Sequence, residues 1–200
     1  MELVNRSVYP DICHRILDEL DKKLPGHLTY HCLDHTIDVA NVCDHYISYY
    51  SVDDRISELI RVAAVAHDFG YIYGPEDHEE RSILEVGPLL RKGYLKKEID
   101  LIEGMIRATK VPQDPSNLYE EILADADLDY LGRDDYNSLS DGLYKEFLYF
   151  GIVSSEAEWI KLQIRFLENH NYHTDWANRN RVANKRKVLE KLRKKASSGL

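Results

Sequence analysis

The sequence contains no apolar run approaching the roughly 20 residues that span a bilayer, and its N-terminus lacks the basic-then-apolar pattern of a secretory signal. A membrane-spanning or exported protein is therefore not expected, and a cytoplasmic one is. Cysteine is scarce as well. Cys13, Cys32 and Cys43 form no C-x-x-C pair, and an odd, scattered set argues against a disulfide framework and for free thiols. Positive charge is in the minority: 26 Lys and Arg against 35 Asp and Glu give a net charge of -9, which repels a polynucleotide backbone. The one local exception is the C-terminal stretch with Arg179, Arg181, Lys185, Arg186, Lys187, Lys191, Arg193, Lys194 and Lys195. It is expected to be the solvated face of a final helix, with an anionic partner as the alternative. Alternating Val, Ile and Thr runs are missing too, and with them any sign of β-strands.

What is present is the composition of an ordinary globular protein, 44% hydrophobic and 30% charged, in a chain of 200 residues. That length is enough for one domain to bury a core unaided. Apolar residues recur at helical spacing between Pro, Gly, Asn and Asp punctuation, so an all-α, single-domain helical bundle with no β-sheet is expected. A first helix follows Pro10 and stops near Pro25-Gly26, with Ile12, Ile16, Leu17 and Leu20 on one face. A second begins in the low thirties and carries Val39, Cys43, Tyr46, Ile47 and Tyr50; continued upstream by fours, its stripe reaches His35 and His31. The third, capped by Asp53, buries Ile56, Leu59, Ile60, Ala63 and Ala64, and its stripe reaches His67 before Gly70. A capping box of Asp77 with Glu80 opens the fourth, which carries Ile83 and Val86, and the fifth packs Ile102, Met105, Ile106 and Thr109. The sixth runs from about 118 to 131 with Leu123, Asp127, Tyr130 and Leu131 on one stripe. Three more span roughly 137–151, 155–170 and 178–195, followed by a frayed tail over 197–200.

Three helices thus aim His35, His67 and Asp127 at the interior, and Asp68 adjoins His67 where its helix ends. A lone inward histidine is ordinarily a hydrogen-bonded core residue. Two imidazoles converging with two carboxylates are another matter, because a buried carboxylate is costly unless it is paired or metal-bound, and this donor set suits a divalent cation.

The runs Tyr30-His31-Cys32-Leu33-Asp34-His35-Thr36-Ile37-Asp38-Val39, Ala66-His67-Asp68-Phe69-Gly70 and Asp125-Ala126-Asp127-Leu128 resemble the HD-domain superfamily of metal-dependent phosphohydrolases. The opening run is similar to the cyclic-nucleotide phosphodiesterase branch, with Cys32 where that branch has Asn. The resemblance covers residues 28–136 as a metal-binding core, with 1–27 as a helix packed on it and 137–196 as helices completing the same domain. It implies His35, His67, Asp68 and Asp127 as ligands of one divalent metal, with Asp68 bridging to a second, and His31 as general acid one helical turn before His35. The ion's identity among Mn, Fe, Co, Mg, Zn and Ni is left open, as is homodimerisation.

Of the paired Asp125 and Asp127, about 200° apart on a helix, Asp127 shares the apolar stripe; Asp125 is expected behind the ligands. By the same resemblance Glu80 orients the acidic histidine, in competition with its capping role, and His78 is a supplementary ligand candidate. Arg107 and Lys110, closing the fifth helix beside Thr109, are candidates for substrate phosphate. Phe69, Tyr71 and Tyr73 could stack on a base or sugar, whereas His170, His173 and Trp176 are assigned to packing. The implied activity is hydrolysis of a small phosphate ester, nucleotide-like, by water activated at the metal. Two alternatives share the fold: a di-iron oxygenase, and a nucleotide-sensing module without catalysis.

Overall fold

The structure is a computed structural model that describes residues 2–198. Among these the chain is all-helical, with ten α-helices, three short 3-10 turns and no strand, and no helix is long and apolar enough to cross a membrane. The chain forms two compact units, Met1–Pro25 with His31–Asp127, and Gly26–Tyr30 with Leu128–Leu200.

The first unit is organised around α3 (Asp54–Ala66), which packs on α1 (Asp11–Lys23), α2 (Leu33–Tyr50), α5 (Lys96–Ala108) and α6 (Leu118–Asp127). Its run Val62-Ala63-Ala64-Val65-Ala66 is apolar on every side and wholly buried, as a helix surrounded by others requires. Small side chains there let neighbouring backbones approach closely. Asp53 starts α3 as expected, its carboxylate accepting from the backbone N–H of Arg55 and Ile56 at 3.1 Å each. Ile16, Leu20, Val39, Cys43, Tyr46, Ile47, Leu59, Ile60, Ile102, Met105, Ile106 and Leu123 of the expected stripes are buried, whereas Ile12, Leu17, Tyr50 and Ile56 are half-buried.

Several boundaries differ from the sequence-based expectation. Helix α2 begins at Leu33, so His31 precedes it in a bend rather than riding its first turn. Asp77 is left-handed (φ 47°) at the start of α4 (His78–Leu90) and makes no cap hydrogen bond. The proposed capping box is absent because both carboxylates point outward to cations, Asp77 to Lys110 at 2.7 Å and Glu80 to Arg107 at 2.7 Å. Helix α6 stops at Asp127 and the chain tightens into a 3-10 turn over Asp129–Gly132, so Tyr130 and Leu131 are buried by a separate turn.

In the second unit, α10 (Val182–Ser197) packs on α8 (Glu156–Asn169), on α9 (Asp175–Asn180) and on the 3-10 turn Asp129–Gly132, against which α7 (Tyr136–Tyr149) also lies. The single helix expected over 178–195 is broken at Arg181, whose guanidinium grips the buried Asp129 carboxylate with two hydrogen bonds, 2.7 and 3.1 Å. Lys185 is buried as well, its ammonium donating to the His170 carbonyl that ends α8. Arg193 and Lys195 pair with Glu168 and Glu156. The basic helix is therefore not simply a solvated face, since four of its cations are committed to partners within the unit. Helix α10 includes Ser197, which was expected in the frayed tail; residues 199–200 of that tail lie outside the described residues.

Candidate metal centre

The centre is assembled where helices of the first unit end. His67 caps the C-terminus of α3 with no solvent exposure, and its ring Nδ1 lies 2.8 Å from the carbonyl oxygen of Ala64. A carbonyl only accepts, so the proton is on Nδ1 and a neutral His67 turns a bare Nε2 lone pair inward. Asp68 follows immediately, and the chain tightens into a 3-10 turn over Phe69–Ile72. Gly70 in that turn admits the start of α4: a Cβ at this position would stand 2.1 Å from the carbonyl oxygen of His78. Ser82 fastens the two segments, accepting from the Gly70 N–H and donating to the His67 carbonyl, each at 2.7 Å.

His35 comes from the first turn of α2 and Asp127 from the last residue of α6. His35 Nε2 lies 3.1 Å from Asp127 Oδ1 and 3.4 Å from Asp68 Oδ2; His67 Nε2 lies 3.2 Å from Asp68 Oδ2 and 3.5 Å from Asp127 Oδ1. Two donors held about 2.1 Å from one cation stand roughly 3.0–3.4 Å apart in octahedral or tetrahedral geometry, and the imidazole–carboxylate spacings here are compatible with that range. His35, His67 and Asp127 offer atoms all within 4.8 Å of one another.

Hydrogen bonding explains only part of the cluster, chiefly the His35–Asp127 pair. His67 Nε2 and Asp68 Oδ2 are buried without a hydrogen-bond partner, a costly arrangement for an imidazole lone pair facing a carboxylate. The local field demands positive charge. Burial disfavours a charged His35, yet its hydrogen bond with Asp127 and the nearby Asp68 carboxylate outweigh burial and lift its pKa to about 9. His67 is raised likewise, burial again opposing and the Asp68 charge prevailing. Burial raises Asp127, but His35 and His67 carry it down to about 2; Asp68 is held well below the usual carboxylate range in the same way, chiefly by His67. A divalent cation meets the same demand with one ion, and the residues present fit it as a two-imidazole, two-carboxylate set.

Around this core sit further polar groups. His78 Nε2 lies 3.4 Å from Asp68 Oδ1, its Nδ1 being 3.2 Å from the Pro75 carbonyl. Glu79 is buried beside it, with Oε1 3.5 Å from His78 Nε2. His31 is at the rim, its ring 5.9 Å from that of His35 and 6.3 Å from that of His78. Tyr71 lies between His31 and His78, with ring centroids at 4.1 and 4.3 Å.

Other expected residues are elsewhere. Glu80 is half exposed and bound to Arg107, so it does not orient His31; one position along α4, Glu79 faces inward instead. Arg107 and Lys110 are engaged by Glu80 and Asp77 on the surface. Asp125 is fully buried on α6, but the donor group contains Asp127. Of the aromatic loop, Phe69 and Tyr71 are buried and only Tyr73 is exposed, beneath the Arg81 guanidinium. Sequence reasoning passed over Ser82 altogether. Its signal was faint: a small hydroxyl on the apolar side of α4, one position before Ile83.

No protein-family model, curated protein or solved structure matches this chain.

Proposed function

We propose that the chain is a metal-dependent phosphohydrolase acting on a small phosphate ester, in the manner of the HD-domain proteins its motifs resemble. The observation that carries this is the convergence of His35, His67, Asp68 and Asp127 at ligand spacing, with the buried His67 Nε2 and Asp68 Oδ2 lacking hydrogen-bond partners. These four residues would hold the ion. A bound divalent cation supplies Lewis acidity toward water and phosphate oxygens.

The chain's own residues do the rest. Asp127 and Asp68 set the charge of the site, and the Ala64 carbonyl and Ser82 fix the His67 segment so that the donors need no rearrangement to bind. His31, at the rim and outside the donor set, is the group available to give a proton to the departing ester oxygen. The test is a purified-protein screen with Mn²⁺, Fe²⁺, Co²⁺ and Mg²⁺ against a panel of phosphate esters. Metal-dependent release of phosphate or alcohol is expected, abolished together with metal retention in Asp68→Ala, and lost without metal release in His31→Ala. Metal content unchanged in Asp68→Ala protein would sink the assignment.

His78 beside Asp68 supports a second reading, a di-iron oxygenase, because that chemistry needs histidine on both ions. Two irons per chain with oxygen consumption, and no ester hydrolysis, would reverse the ranking.

A further inference from the structure

Tyr71, in the turn that follows Asp68, is buried against two histidines. Its ring is 7% exposed and stacked on His31 at an interplanar angle of 14°, while its hydroxyl oxygen lies 3.0 Å from His31 Nε2. Tyr71 also meets His78, with ring centroids 4.3 Å apart. The stacked ring and the hydroxyl against Nε2 both bear on the imidazole of His31 and restrain the plane in which it lies.

We propose that Tyr71 is the positioning residue for His31, holding the imidazole in one orientation before and after it releases a proton to the leaving group. The inference rests on the hydrolytic reading above and on His31 as the acid. In the step concerned, the oxygen of water forms a bond to phosphorus as the ester P–O bond breaks. The leaving oxygen takes the proton from His31, and the proton shed by water restores it.

Tyr71→Phe keeps both ring contacts and removes only the hydroxyl. Two measurements test the role. The first uses a pair of esters with the same phosphoryl group, one leaving as p-nitrophenolate and the other as an alkyl alcohol. A good leaving group departs without a proton, so Tyr71→Phe should slow the alkyl ester about tenfold, the scale of one hydrogen bond, and slow the nitrophenyl ester several-fold less. In the His31→Ala background the same substitution should add no further loss. Equal losses on both esters, or losses that multiply with those of His31→Ala, overturn the proposal.

The second measurement is independent of turnover: histidine ¹⁵N NMR of the metal-free protein. Tyr71→Phe should shift the His31 Nε2 resonance and redistribute its tautomers, and an unchanged His31 spectrum overturns the proposal. Wild-type protein that hydrolyses neither ester sinks the hydrolytic function and the acid role with it. A persisting NMR difference would then show that the failure lay in the reaction and not in the pairing.

Discussion

The sharpest consequence of the cluster is thermodynamic. An ion that binds the folded chain and not the unfolded one stabilises it by ~2.7 kcal/mol when present at a hundred times its dissociation constant. For a chain of this size each kcal/mol moves the melting temperature by about 2–4 °C, so a saturating cation should raise it by roughly 5–11 °C. His67→Gln is the informative perturbation, because His67 is wholly buried and its Nε2 faces both Asp68 and Asp127. The substitution forfeits the inward imidazole lone pair and also the 2.8 Å contact with the Ala64 carbonyl. That hydrogen bond is worth ~1 kcal/mol, and the metal-free variant also loses the imidazole that balances the buried Asp68 charge, so it should melt lower than wild type. The metal-dependent increment, in contrast, should collapse. The assay is differential scanning fluorimetry of wild type and variant, chelator-stripped and then supplied with Mn²⁺, Fe²⁺, Co²⁺, Zn²⁺ or Mg²⁺. A wild type indifferent to every cation, or a variant with the full wild-type increment, refutes the metal-centre reasoning.

Other consequences follow from single contacts. Gly70→Ala places a Cβ 2.1 Å from the His78 carbonyl oxygen, and because the neighbour is backbone, urea denaturation should register a loss of ~1–3 kcal/mol with weakened metal retention. Arg181→Met removes both hydrogen bonds to the Asp129 carboxylate, 1% exposed, leaving Arg133 at 3.7 Å, and should cost about 3–5 kcal/mol by the same assay. Combining it with Asp129→Leu should recover much of that loss. Glu98 is held down to about 2 mainly by Arg55, which binds both its oxygens at 2.9 Å. A depressed carboxyl stabilises the fold above its ordinary pKa and loses that contribution as pH falls from about 4.5 to about 2. Arg55→Gln should therefore flatten the acid limb of the melting temperature against pH over that window and leave the region above it nearly parallel.

The elements legible in the sequence were those whose periodicity runs through a continuous core. Helices α1, α3 and α5 emerge as expected because their burial partners lie on one side or on all sides, and either pattern survives in the spacing of Ile, Leu and Ala. What escaped was set by contacts distant in sequence. Nothing local announces that Arg181 will interrupt a helix to reach Asp129, 52 residues away, or that α6 ends at Asp127. The capping box failed for a related reason: Asp77 and Glu80 have the right spacing, but Lys110 and Arg107, at the end of another helix, compete for both carboxylates. Local motifs state what a segment is able to do alone, and the tertiary partners decide.

The centre itself follows the same division. His35, His67 and Asp127 were legible because each extends an apolar stripe, so the periodicity that identifies the core also marks the polar groups carried into it. Glu79 was missed by one position in favour of Glu80, since a helix that begins at a left-handed Asp77 starts in a phase its capping signals do not announce. His31 was expected on a helix face, and its helix begins two residues later. The difference has a consequence for function. A residue in the first turn of α2 would take its orientation from the helix, as His35 does; one in the bend before it must be oriented by something else. The group in contact with its Nε2 is the hydroxyl of Tyr71, three residues beyond Asp68 in the chain. The same turn that follows His67 and Asp68 thus supplies the hydroxyl against His31, and any displacement of the Phe69–Ile72 turn moves both. Substitutions in that turn should therefore disturb metal retention and His31 orientation together, whereas Tyr71→Phe separates them.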